Sequence, residues 1–213
     1  MSSEFISKEF QIRAVYNKET IRVYQAYNNE IADYAVKHQT FTGCPHWSTE
    51  RTTWIKPSFL WMMYRSGWAQ KDKNQNRILA IDIHIKDFEY AIQNNYKSST
   101  KQKYQIEGQE LPPPSKEHSQ PPVSKVDKSN YDIVVQWDPE RSIKLGKLGS
   151  NIKSIQIGIK KRIAEQYSSN WITQITDITN QCLEIKQLLD NGHLDQAQSL
   201  LPIEKVYIPS FIK

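Results

Sequence analysis

The sequence lacks any run approaching the roughly 18–20 apolar residues that a membrane-spanning helix requires, so no membrane partner is expected. Its opening residues, MSSEFISKEFQIRAVY, set Glu4, Lys8 and Glu9 among scattered apolar positions. They therefore lack the apolar centre of a secretory signal, and a cytoplasmic location is expected. Cysteine is scarce. Cys44 and Cys182 lie far apart and fit no CxxC or zinc spacing, which leaves two free thiols in a reducing compartment. His46 follows Cys44 by two residues, but no second ligand pair completes a metal site. GxGxxG, GxxxxGKS/T, HExxH and GxSxG are all missing, so the common motif-borne mechanisms have no support. Internal repeats are absent too.

What is present is enough for a core. The chain has 213 residues, 38% hydrophobic and 11% aromatic, which suits one domain carrying a long insertion. Net charge is +5, a value that permits an anionic partner without requiring one. Much of the excess falls on Lys97, Lys101, Lys103, Lys116, Lys125 and Lys128. These sit in a stretch rich in Lys, Gln, Ser and Pro at about 97–129. Such a composition buries too little apolar area to offset its ordering entropy, so a disordered surface insertion is expected there.

On either side, the hydrophobic pattern alternates between two periods. TIRVYQAY (20–27) reads as a strand with Ile21 and Val23 on one face and Arg22, Tyr24 and Ala26 on the other. Asn28 offers an N-cap to a helix, NEIADYAVKH. Pro57 suits the first turn of a second helix over 57–66, with Gly67 at its end. RILAIDIHI (77–85) is the strongest strand, followed by the helix DFEYAIQNN. YDIVVQW (131–137) and KSIQIGI (153–159) add strands. Residues 159–190 read as helical, with Ile172, Ile175, Ile178, Leu183 and Leu188 as core positions, and a helix at 193–200 precedes an extended tail. The expected class is α+β: one domain, a mixed or antiparallel central sheet with flanking helices, and a mostly helical C-terminal part.

Trp47, Trp54, Trp61 and Trp68 recur every seven residues, but Pro45 and Pro57 rule out a continuous heptad helix. With Tyr64 nearby, the cluster is either core or an aromatic wall for a flat ligand. Lys56 and Arg65 flank it and Ser58 adds a hydroxyl, a combination suited to phosphate or pyrophosphate beside a helix N-terminus. Arg22 is a charge within an otherwise apolar strand; it is explained by a salt bridge or by a ligand. VVQWDPER (134–141) ends a strand in Gln136, Asp138 and Glu140, where a sheet can fix the origin of a catalytic group or simply turn. His84, on the same strand as Asp82, is read as a hydrogen-bonding neighbour or an acid–base group.

Three strings carry a resemblance to a family catalogued as domain of unknown function 4291: IRAVYNKETIRVYQAYN (12–28), TWIKPSFLWMMYRSGWA (53–69) with ILAIDI (78–83), and VVQWDPER (134–141) with SIQIG (154–158). That family implies no activity. An early strand with Arg and Tyr, a later LAIDI strand and a strand ending in Trp and acid also resemble ADP-ribosyltransferase-like folds. This second resemblance implies NAD held by Arg22, an aromatic (Tyr24, Trp61 or Tyr64) against nicotinamide, and Glu140 or Asp138 under the ribosyl cation. Lys56, Ser58, Arg65 and Gln136 would complete the nucleotide contacts. The expected function is NAD-dependent ADP-ribosyl transfer to a protein or nucleic-acid acceptor. The alternative is a nucleic-acid-binding module that stacks bases on the same aromatics.

Overall fold

The computed structural model describes residues 9–95, 132–149 and 152–212. The expected insertion at 97–129 lies outside them. Chain order is β1 (Ile12–Ala14), β2 (Thr20–Tyr27), α1 (Asn29–His38), β3 (Thr53–Ile55), α2 (Phe59–Ser66), β4 (Arg77–His84), α3 (Ile85–Gln93), β5 (Ile133–Pro139) and β6 (Lys153–Ile159). Then come α4 (Lys161–Gln166), a π turn (Tyr167–Trp171), β7 (Ile172–Asp177), α5 (Thr179–Asp190), α6 (Leu194–Ser199) and β8 (Lys205–Tyr207). The class is α+β, and every pairing between these strands is antiparallel.

Three sheets form, in the orders β2-β4-β7, β3-β6-β5 and β1-β8. β2 and β4 pair along their whole length, from Thr20 opposite His84 to Tyr27 opposite Arg77. Their alternation divides the core into two layers. Ile21, Val23, Leu79, Ile81 and Ile83 join one apolar cluster, to which β6 adds Ile155, Ile157 and Ile159. Tyr24, Ile78 and Ala80 join the other, covered by Phe59, Met62 and Met63 of α2 and by Cys182 and Ile185 of α5. Among the described residues, one isolated backbone bridge joins the two three-stranded sheets. The Tyr24 amide donates to the Lys56 carbonyl at 2.7 Å. β2 and β3 form no ladder with each other, so the two sheets part beyond that bridge.

Several elements differ from the sequence reading. α2 begins at Phe59, because Ser58 is extended (φ −77°, ψ 119°) and its side chain accepts from the Trp61 amide; Ser58 takes the capping position and Pro57 precedes the helix. Gly67 closes it in the left-handed conformation at φ 58°, as expected. Residues 172–177, expected to be helical, form β7, where the β-branched Ile172, Ile175 and Thr176 pair against β4 and Thr173 is skipped at a bulge. β5, read as 131–137, extends through Asp138 and Pro139, where the sequence also suits a turn. Proline is tolerated there because β5 is the edge strand of its sheet. β1 and β3 are three-residue strands, too short to show a period. Cys44 and Cys182 are free and buried, and no helix among the described residues is long and apolar enough to cross a membrane.

Candidate functional site

Lys56 is the residue around which the site is built. It follows β3 directly and is only 6% exposed. Its Nζ lies 5.0 Å from the centre of the Trp61 ring and 6.0 Å from that of Trp54. Trp54 owes its position to register. It lies opposite Gly158 of β6, and a Cβ at Gly158 would meet the indole at 2.9 Å; only glycine lets the ring settle on the strand. No carboxylate among the described residues forms an ion pair with Lys56. Burial pushes its ammonium down to about 7, and the nearby Arg65 adds to the effect while Asp138 opposes it.

The acids occupy two environments. Gln136 and Asp138 alternate along β5, and both are held by one side chain on β6. Gln156 Nε2 donates to Asp138 Oδ2 at 2.5 Å and to Gln136 Oε1 at 3.1 Å. Burial raises the Asp138 carboxyl, with Lys56 and the Gln156 hydrogen bond pulling it back. Lys56 and Asp138 are thus electrostatic partners across the β3-β6-β5 sheet. Glu140 is placed otherwise. It is buried and accepts from the Ser58 hydroxyl and from the Arg141 amide, both at 2.8 Å. Ser58 Oγ in turn accepts from the Trp61 amide at 3.2 Å. Glu140 therefore anchors the first turn of α2.

A second acid reaches the same helix end. Glu204 Oε1 accepts from the Phe59 amide at 2.6 Å, and burial, with Glu140 adding to it, pushes its carboxyl up to about 8. Sequence reasoning missed Glu204, a lone acid between the last helix and the extended tail.

Where β2 and β3 part, a cavity of about 590 Å³ opens between the end of β2, the loop leading to β3, and α2. Lys56 lines it with Trp54 and Gln25, while His46, Arg51 and Arg65 bring further basic groups. Gln25 is itself fixed, donating to the Trp54 carbonyl at 3.1 Å and accepting from the Tyr167 hydroxyl at 2.9 Å.

Of the expected site residues, Lys56 and Arg65 line the cavity; Trp61 lies against Lys56 without lining it, Gln136 and Asp138 stand off the cavity wall on Gln156, and Ser58 and Glu140 are tied to the start of α2. Arg22 does not join them. It forms a two-pronged pair with Asp82, its cross-strand neighbour, at 2.8 Å for each contact, and it does not line the cavity. Asp82 is thereby committed to Arg22, and His84 faces a separate cavity beside Tyr16 and Glu89. Tyr24 packs edge-on against Phe59, its buried hydroxyl without a hydrogen-bond partner. Tyr64 is exposed and carries the Arg141 guanidinium 3.4 Å above its ring. Trp54, by contrast, enters the site through a β3–β6 register that no local pattern discloses.

The profile of a family described as a domain of unknown function (DUF4291) matches residues 11–207, nearly the whole chain, and the protein belongs to that family. No curated protein and no solved structure matches it.

Proposed function

We propose that this family member is an NAD-dependent enzyme of ADP-ribosyltransferase type, working in the cavity where β2 and β3 part. The observation that carries the reading is Lys56: a lysine buried between two indoles, without an ion pair, lining a cavity that also holds Arg51 and Arg65. Burying a cation alone is costly unless an anion joins it. A pyrophosphate supplies that anion, and the Trp54 indole on the cavity wall suits a flat ring. The cavity volume falls within the roughly 300–1,000 Å³ usual for small-molecule sites.

Cleavage of the bond to nicotinamide develops positive charge on the ribose, so a fixed carboxylate nearby stabilises the transition state. Of the two acids at the end of β5, the reading assigns this part to Asp138. Glu140 spends its contacts on Ser58 and the Arg141 amide, whereas Asp138 faces the charge of Lys56. Lys56 helps hold Asp138 ionised, and Gln156 fixes its orientation. Arg22, bound to Asp82, has no part. Trp61, 8% exposed, offers no open face for base stacking, which a strand of nucleic acid needs.

Asp138→Asn should lower nicotinamide release by on the order of a hundredfold to a thousandfold while leaving nucleotide affinity near wild type. Glu140→Gln should instead lower the unfolding midpoint, with turnover per folded molecule retained. A wild-type protein that neither binds NAD nor releases nicotinamide from it ends the proposal.

A further inference from the structure

We propose that Lys56 is a carbonyl-reactive lysine, whose side-chain amine condenses with the aldehyde of a phosphate-bearing ligand held in the cavity between β2 and β3. The proposal does not rest on glycosyl transfer, and no NAD is needed for it.

Three features of the geometry point this way. Lys56 is more than nine-tenths buried, yet it lines an open cavity. Indole faces enclose it where an ordinary lysine would have water or a carboxylate. A second cation, Arg65 of α2, stands close enough to oppose its charge. Desolvation and a neighbouring cation are the two means by which a lysine becomes a nucleophile near neutrality. With its ammonium pushed down to about 7, around half of Lys56 carries a free lone pair at pH 7. An ordinary lysine has about one neutral amine in two to three thousand. The charged groups around it are Arg65, Asp138 of β5, and His46, Arg51 and Asp72 elsewhere on the cavity wall. Arg51 and Arg65 supply guanidinium groups for a phosphate.

The step balances without an outside oxidant or reductant. The Nζ lone pair adds to the carbonyl carbon, and the carbonyl π pair moves to oxygen. A proton passes from nitrogen to that oxygen to give a carbinolamine. Protonation of the hydroxyl by water in the open cavity releases one water and leaves a protonated C=N bond to Lys56, which solvent can then deprotonate. Hydrolysis reverses it.

The test is labelling of the whole chain with pyridoxal 5′-phosphate, followed by reduction with borohydride and peptide mass mapping. At pH 7 the first adduct should fall on Lys56, at a rate on the order of tenfold or more above any exposed lysine. Labelling of Lys56 should accelerate between pH 6 and 8, and pyridoxal without the phosphate should react more slowly. Arg65→Ala should narrow that difference, and Lys56→Arg should abolish the fast adduct. Adducts spread over exposed lysines with Lys56 unmodified, in a protein whose near-ultraviolet circular dichroism is native, overturn the proposal. Equal rates for pyridoxal and its phosphate overturn the phosphate part of it. Nicotinamide release measured on the same sample reports separately on the glycosyl-transfer reading.

Discussion

Arg22 and Lys56 meet the same physical problem, a cation set among apolar residues, and are resolved in opposite ways. Arg22 has a carboxylate directly across the strand pair, and its planar fork takes both oxygens of Asp82. With side-chain exposures of 30% and 17%, the pair lies between the surface and buried cases. Arg22→Ala should therefore cost about 1–3 kcal/mol, read as a lower urea midpoint. Activity per folded molecule should be unchanged; a selective loss of nucleotide binding would return Arg22 to the site. The sequence supports either outcome for such an arginine, because its partner stands sixty positions away. Lys56 was visible as a charge beside an aromatic run. Its enclosure by Trp54 was not, since that depends on Gly158 of a distant strand leaving room for the ring.

At the scale of elements, α2 shows how the acids are shared out. Its orphan amides are met by Ser58, which caps Trp61, and by Glu204, which takes the Phe59 amide. Ser58 also donates to Glu140, so one hydroxyl satisfies the helix and a buried carboxylate together. Ser58→Ala removes the cap, worth about 1 kcal/mol, and deprives Glu140 of a donor, worth about 1–3 kcal/mol more. A drop of roughly 2–4 kcal/mol in denaturant unfolding is expected, well beyond a simple cap deletion; a loss below about 1 kcal/mol would show that Glu140 does not depend on Ser58. β2, α1 and β4 were legible to within a residue because each carries a full run of its own period. β3 has three residues, and β7 mixes isoleucines with threonine and glutamine at spacings that also fit a helix. The end of β5 is open in the sequence because Asp-Pro commonly turns, and its place at a sheet edge explains why the strand continues through Pro139.

For the whole molecule, the α+β class followed from alternating periods, but the split sheet did not, because it rests on one backbone bridge between strands that no local rule pairs. Among the groups shifted by burial, Glu204 and Lys56 have effects on stability that run against each other. Glu204 is raised from 4.5 to about 8. Between those values the native protein holds a proton that the unfolded chain has released, so stability falls as pH rises through the window. Glu140 and Asp138, also raised, act in the same direction. Lys56 is lowered from 10.5 to about 7. Between those values the unfolded chain holds a proton that the native protein lacks, so stability climbs with pH. Asp177, lowered below its ordinary value of 3.8, matters only in more acid solution. The urea midpoint should accordingly pass through a shallow minimum near pH 7–8, where many proteins are near their most stable. Glu204→Gln cannot ionise and should flatten the limb between pH 5 and 8, so the difference from wild type shifts in favour of the variant as pH rises. Lys56→Met should flatten the limb from pH 7 to 10 in the same way. If the Glu204→Gln and wild-type profiles run parallel from pH 5 to 8, the Glu204 carboxyl is not held protonated beneath α2, and its hydrogen bond with Phe59 is that of an ordinary carboxylate.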